Sequence, residues 1–200
     1  MSQTVNYFEV FGLPRTLGID ASQLQAKFYE LSRRYHPDFQ QSAPPAEQER
    51  ALTLSALVNT AYRTLRDPIA RIEYLVRLEE GRDTREGSAV KPAAPPELLE
   101  EIFEVQEMLE DAKASGLDDE GRNRLAAERD RLVARCHQEE ELLTGALAAD
   151  WDEASPAGRP RVVAAFKAAL ATRAYLRTVI DDLEAGLDPA GETDVTHHRH

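Results

Sequence analysis

The sequence predicts an all-α protein, with an N-terminal antiparallel helical hairpin followed by a C-terminal three-helix bundle. Three observations predict it. Apolar residues recur at spacings of three and four, and no stretch alternates apolar with polar as a half-buried strand would. Proline marks helix ends at His36-Pro37 and Asp67-Pro68. The composition, 42% apolar with 6% aromatic and 30% charged residues, supports a core and suits helices.

The elements follow in order. A short first helix is expected over residues 5–11. Asp20 or Ser22 caps the second, over 20–35, whose stripe is Leu24, Phe28, Leu31 and Tyr35. The third, over 46–66, carries Leu54, Val58, Ala61 and Leu65 at the same spacings, supported by Leu57 and Tyr62. These stripes pair as an antiparallel hairpin, closed on one side by Phe8, Phe11 and Leu13. A short helix over 69–78 follows. Residues 81–96 hold two glycines and three prolines around one valine, a linker or ordered crossover. Three longer amphipathic stretches, 97–114, about 121–149 and about 158–187, make the bundle. The last repeats Val162, Phe166, Ala169, Leu176, Ile180 and Leu183, with Arg173 at the rim of the stripe. The expected domains are 1–76, a linker over 77–96, a helical domain over 97–187, and a disordered polar tail over 188–200.

The formal charge of −12 is unevenly placed. Residues 1–76 hold eight basic and eight acidic residues, while 77–200 hold 16 and 28, so the excess lies entirely in the second part. That surface repels phosphate and argues against nucleic acid and anionic membranes as partners. It favours a basic protein instead. Cys136 is the only cysteine, which excludes an internal disulfide and suits a reducing compartment. No signal pattern and no apolar run of 18 residues is present, so a cytoplasmic, soluble protein is expected.

His36-Pro37-Asp38 stands between the two hairpin helices. By residues alone two readings stand. One is a helix-ending turn, since proline stops helices and aspartate caps them. The other is a polar tripeptide displayed for a partner. No nucleophile–base pair or metal-ligand spacing surrounds it. Three segments give it context: Tyr7-Phe8-Glu9-Val10-Phe11-Gly12-Leu13-Pro14, the run from Tyr29 to Asp38, and Asn59-Thr60-Ala61-Tyr62-Arg63-Thr64-Leu65-Arg66-Asp67-Pro68-Ile69-Ala70-Arg71. In that order they resemble the J-domain of DnaK-type co-chaperones over about the first 76 residues. The Tyr-Phe-x-x-Phe-Gly-Leu-Pro opening and Arg71-x-x-Tyr74-Leu75 resemble the HscB branch, which serves iron-sulfur cluster assembly. The resemblance implies that Asp38 accepts a charge-assisted bond from an arginine of a DnaK/HscA-type ATPase chaperone. Pro37 would fix the loop and His36 would orient it. Lys27, Arg33 and Arg34 would steer docking from the second helix. For any one of these three, a solvated helix face is the competing reading.

A helical wheel of residues 97–114 gives a further result that needs no family. Leu98, Ile102, Val105 and Leu109 fall within about 40° of Leu98, a core stripe. Leu99 and Phe103 fall roughly 100–140° away, among Glu100, Glu104, Glu107, Glu110 and Asp111. An apolar pair rimmed by carboxylates is either an interface or a face covered by another bundle helix. The resemblance implies that this helix binds an IscU-type iron-sulfur scaffold through Leu99, Phe103, Glu104, Glu107 and Asp111, with Tyr175 contributing from the last helix. Glu100 departs from the family, which has an apolar residue there.

Cys136 and His137 are adjacent and cannot ligate as an i,i+4 pair. The histidines at 197, 198 and 200 belong to the tail, and Trp151 is expected at a helix junction. No metal site and no cofactor is expected. With no phosphate loop and no nucleophile–base constellation, the chain reads as a co-chaperone rather than an enzyme. It would stimulate the ATPase of its chaperone and deliver the scaffold, in support of iron-sulfur protein maturation. The alternative is a J-domain adaptor that presents a different client.

Overall fold

The computed structural model describes residues 6–40, 43–82, 96–116 and 118–188. Val5, most of the expected linker and all but the first residue of the expected tail lie outside the described residues. Every regular element among those described is helical: α1 (Tyr7–Val10), α2 (Ala21–Tyr35), α3 (Pro45–Arg66), α4 (Pro68–Glu79), α5 (Leu99–Ser115), α6 (Asp119–Thr144), α7 (Ala146–Glu153) and α8 (Arg159–Leu187). Short 3₁₀ turns cover Pro37–Gln40 and Pro96–Leu98. The fold is all-α, a helical hairpin unit and a bundle of α5, α6 and α8.

Local chemistry sets the helix ends. The Asn6 side chain accepts the Phe8 N–H, and Asp20 accepts those of Ser22 and Gln23 at 2.8 and 3.0 Å. Asp67 ends α3 and caps α4 by accepting the Ala70 N–H at 2.8 Å, with Pro68 in the first turn. Gly12, at φ 59°, ends α1 in a Schellman motif, in which Gly12 N–H donates to Glu9 and Leu13 N–H to Phe8. The expected helix over 121–149 is instead two helices. Gly145 sits between α6 and α7 at φ −100°, ψ −96°, a backbone state that a missing Cβ permits.

The described chain forms two compact units. The first contains the N-terminal residues through α4 together with 143–166. Here the α2 and α3 stripes meet: Leu24, Val58, Ala61 and Leu65 are buried, and the Phe28 and Tyr62 rings stack 4.0 Å apart. Tyr7 stacks on Tyr74 at 4.3 Å, and the Tyr74 hydroxyl accepts the Tyr7 N–H at 2.8 Å. Burial pushes the Tyr74 phenol above its usual pKa.

Residues 143–166, expected within the C-terminal bundle, complete this first core. Leu143, Trp151 and Phe166 are buried. Trp151 Nε1 donates to the Arg15 carbonyl at 3.1 Å. The two carboxylate oxygens of Asp152 accept the Leu17 and Gly18 N–H groups, each at 2.7 Å. The Arg159 guanidinium lies 4.8 Å from the centre of the Trp151 ring. Thus α7 holds the loop between α1 and α2. Arg71 donates to the Leu65 carbonyl, and burial lowers its pKa while Asp152 and Asp67 oppose that shift.

The second unit packs Leu98, Ile102 and Val105 against Leu125, Leu132 and Cys136 of α6 and Leu176, Val179, Ile180 and Leu183 of α8. Glu101 bridges α5 to α6 through Arg131 and Arg135, each at 2.5 Å. Arg173 of α8 donates to Glu140 of α6 at 2.8 Å. Hydrogen bonding to Glu128 is the main cause that raises the pKa of Arg131. These ion pairs fix which face of α5 meets α6.

Candidate docking sites

Pro37 restricts His36 to an extended backbone, φ −66° and ψ 131°, and so ends α2 at Tyr35. The next four residues close a 3₁₀ turn, with the Phe39 N–H donating to the His36 carbonyl at 3.1 Å. The Asp38 N–H donates to His36 Nδ1 at 3.2 Å. The side chains of His36 and Asp38 are 50% and 71% exposed, so the turn holds its shape while presenting both groups. An exposed carboxylate on a fixed turn can accept a bidentate bond from a partner arginine.

Arg33 and Arg34, in the last turn of α2, are exposed near this tripeptide. The Arg34 guanidinium lies 5.6 Å from the centre of the Tyr35 ring. Lys27 is differently placed. Its ammonium donates to the carbonyls of Phe11 at 2.7 Å and Gly12 at 3.4 Å, at the C-terminal end of α1. That end carries partial negative charge, which a cation complements.

Along Leu98 and α5 the burial follows the wheel, with Leu109 only partly buried against the same core. Leu98, Ile102 and Val105 are at most 8% exposed, whereas Leu99 and Phe103 are 47% and 74% exposed. Among the described residues this pair is left exposed. Glu100, Glu104, Glu107, Glu110 and Asp111 are exposed around it. Glu101, which faces α6, lies about 160° from both Leu99 and Phe103 on average. The apolar pair is thus turned away from α6. Tyr175 of α8 is half-buried, packs on the core, and lines a small void with Leu98, Glu101 and Ile102.

His36, Pro37, Asp38, Arg33 and Arg34 therefore gather at one end of the hairpin, with Lys27 apart. Leu99, Phe103, Glu104, Glu107 and Asp111 line one helix, and Tyr175 stands on another. Two features escaped the sequence reading. Phe39 exposes 68% of its surface beside the tripeptide, and its apolar character in a polar loop was the available signal. The contacts of Trp151 and Asp152 with residues 15–18 span 134 to 136 positions and leave no local signal. Among the described residues no group of three or more histidines, cysteines, aspartates or glutamates could hold a metal ion, and no helix is long and apolar enough to cross a membrane.

Residues 6–74 match the family model of the DnaJ domain, and residues 94–157 match that of the HSCB C-terminal oligomerisation domain. The chain thus pairs a DnaJ domain with an HSCB C-terminal domain and is similar to the HscB co-chaperones. A co-chaperone protein HscB homolog of Aliivibrio salmonicida is 39% identical over 113 residues, which span 56% of this chain and 63% of that relative's length. The chaperone HscB from Vibrio cholerae shares the architecture with a TM-score of 0.54 and 27% identity, over 90% of this chain and 99% of that one. Human co-chaperone protein HscB matches with a TM-score of 0.62 over 94% of this chain and 85% of its own, a likeness of fold at 22% identity.

Proposed function

We propose that this protein stimulates the ATPase of a DnaK/HscA-type chaperone and delivers to it an IscU-type iron-sulfur scaffold, in support of iron-sulfur protein maturation. One observation carries the reading: the exposed His36-Pro37-Asp38 turn, held by its own hydrogen bonds at the end of a J-type hairpin. Asp38 accepts a charge-assisted bond from a chaperone arginine, while Pro37 and His36 hold the shape that presents it. Arg33 and Arg34 attract the chaperone's acidic surface. The gain comes from binding the hydrolysis-competent state of the chaperone more tightly than its alternative. The exposed Leu99 and Phe103 among carboxylates support a second docking site for the scaffold, with Glu104, Glu107, Asp111 and Tyr175 around it.

The test is Asp38→Ala. Its side chain is exposed, so helicity and melting should stay as in the wild type, while stimulation of a purified DnaK-type chaperone in single turnover should be lost. Normal stimulation by this variant would remove the docking reading. The alternative, an adaptor for a different client, draws on Glu100, an exposed charge where the family's scaffold patch is apolar. Titration with an IscU-type scaffold separates the two.

A further inference from the structure

The hairpin unit leaves two large aromatic side chains mostly exposed. Tyr29 on α2 is 61% exposed, and Phe39, directly after the tripeptide, is 68% exposed. Phe39 is not loose. Its N–H is bonded to the His36 carbonyl, and its ring stands edge-on to the His36 ring at 5.9 Å. Tyr29 precedes the His36 C-cap of α2 by seven residues, about two helical turns or roughly 10 Å along the helix. Arg33 lies between them, about 40° round the same side. The Tyr29 hydroxyl accepts a bond from Gln25 Nε2 at 3.3 Å. Tyr29, Arg33, His36-Pro37-Asp38 and Phe39 are all exposed, along α2 and the turn that follows it.

We infer that Tyr29 and Phe39 are apolar anchors of the chaperone-docking face, flanking the polar tripeptide. This rests on the docking role of Asp38 proposed above. The occupant is the ATPase chaperone, through a surface that offers apolar hollows next to acidic groups. Two observations select it. The rings lie along the same helix and turn as the tripeptide, and the arginines there are exposed and suit an acidic rim. Tyrosine and arginine are the residue types that concentrate binding energy at interfaces, and a ring held on a bonded turn loses little freedom on binding.

The experiment uses the full chain as wild type, Phe39→Ala, Tyr29→Ala and Asp38→Ala, titrated into a purified DnaK-type chaperone under single turnover. Melting curves and light scattering are recorded on the same samples. Phe39→Ala should melt as the wild type does and should raise the half-saturating concentration at least about tenfold. Tyr29→Ala should shift it in the same direction. Wild-type half-saturation in both ring variants, with Asp38→Ala inactive, overturns the anchor role and leaves the docking reading standing. Normal stimulation by Asp38→Ala overturns both. A wild-type dimer that Phe39→Ala disperses, with the chaperone titration unchanged, assigns the ring to a second copy of this chain and also overturns the inference.

Discussion

Trp151→Ala tests whether residues 143–166 are structurally part of the N-terminal unit. Trp151 is 1% exposed, and its ring is held by the bond to the Arg15 carbonyl and by the overlying Arg159 guanidinium. A buried tryptophan removes about 200 Å² from water. At about 25 cal/mol per Å² that gives about 5 kcal/mol, an upper figure because unfolded chains already bury some surface. Truncations of this kind cost about 3–5 kcal/mol once the cavity is included. Arg15 is exposed, so its freed carbonyl reaches water and adds little. For a chain of this size that loss lowers the melting temperature by about 6–20 °C. The assay is urea denaturation followed by circular dichroism, because Trp151 is the only tryptophan and its removal abolishes the fluorescence signal. If the two units unfold separately, only one transition should move. A loss below about 1 kcal/mol with an unchanged slope would refute the argument that α7 supports the hairpin unit. A fragment ending at Val76 lacks the same contacts and should be destabilised to a similar extent.

Replacing both Leu99 and Phe103 with alanine should change melting little, because both are exposed, yet weaken scaffold binding by at least about 2 kcal/mol, roughly thirtyfold. Calorimetric titration and a thermal melt on one sample decide, and a large melting drop with unchanged affinity would make the pair structural. Lys27→Ala should lower stability by about 1 kcal/mol through loss of its bonds to the Phe11 and Gly12 carbonyls, while stimulation of the chaperone at saturation persists. A folded Lys27→Ala variant that no longer stimulates would show that Lys27 acts in docking. Cys136 is buried, and burial pushes its thiol above the usual cysteine pKa. The native thiol should thus react with a disulfide reagent at pH 8 far more slowly than the unfolded chain's thiol. The same shift makes the unfolded thiol ionise first, so this group's contribution to stability declines as pH rises above the unfolded pKa, which pH-dependent denaturation measures.

Much of the fold was written locally. Asp20, Asp67-Pro68 and Gly12 set helix ends by contacts within a few residues, which is why the sequence alone placed α2, α3 and α4 nearly where they lie. The turn after α2 was legible for the same reason, since Pro37 acts on the residue before it. That Leu99 and Phe103 lie off the core stripe followed from angles along one helix, which depend on sequence spacing; that no core covers them came from the fold. The resemblance supplied the roles, which no spacing could.

Other features depended on where distant segments meet. The sequence showed a basic Lys27 on the helix but not that its ammonium would reach the end of α1. It showed an apolar Phe39 but not whether the hairpin would cover it. The break at Gly145 was missed because amphipathic spacing continues across it, and a single glycine interrupts a helix only when packing favours the bend. The placement of Trp151 and Asp152 against residues 15–18 joins positions more than 130 apart, and nothing in either stretch names the other. Helix boundaries and faces come from backbone and periodicity, which each segment carries by itself. The choice between solvent, core and partner for an individual side chain comes from three-dimensional proximity, which the folded chain alone decides.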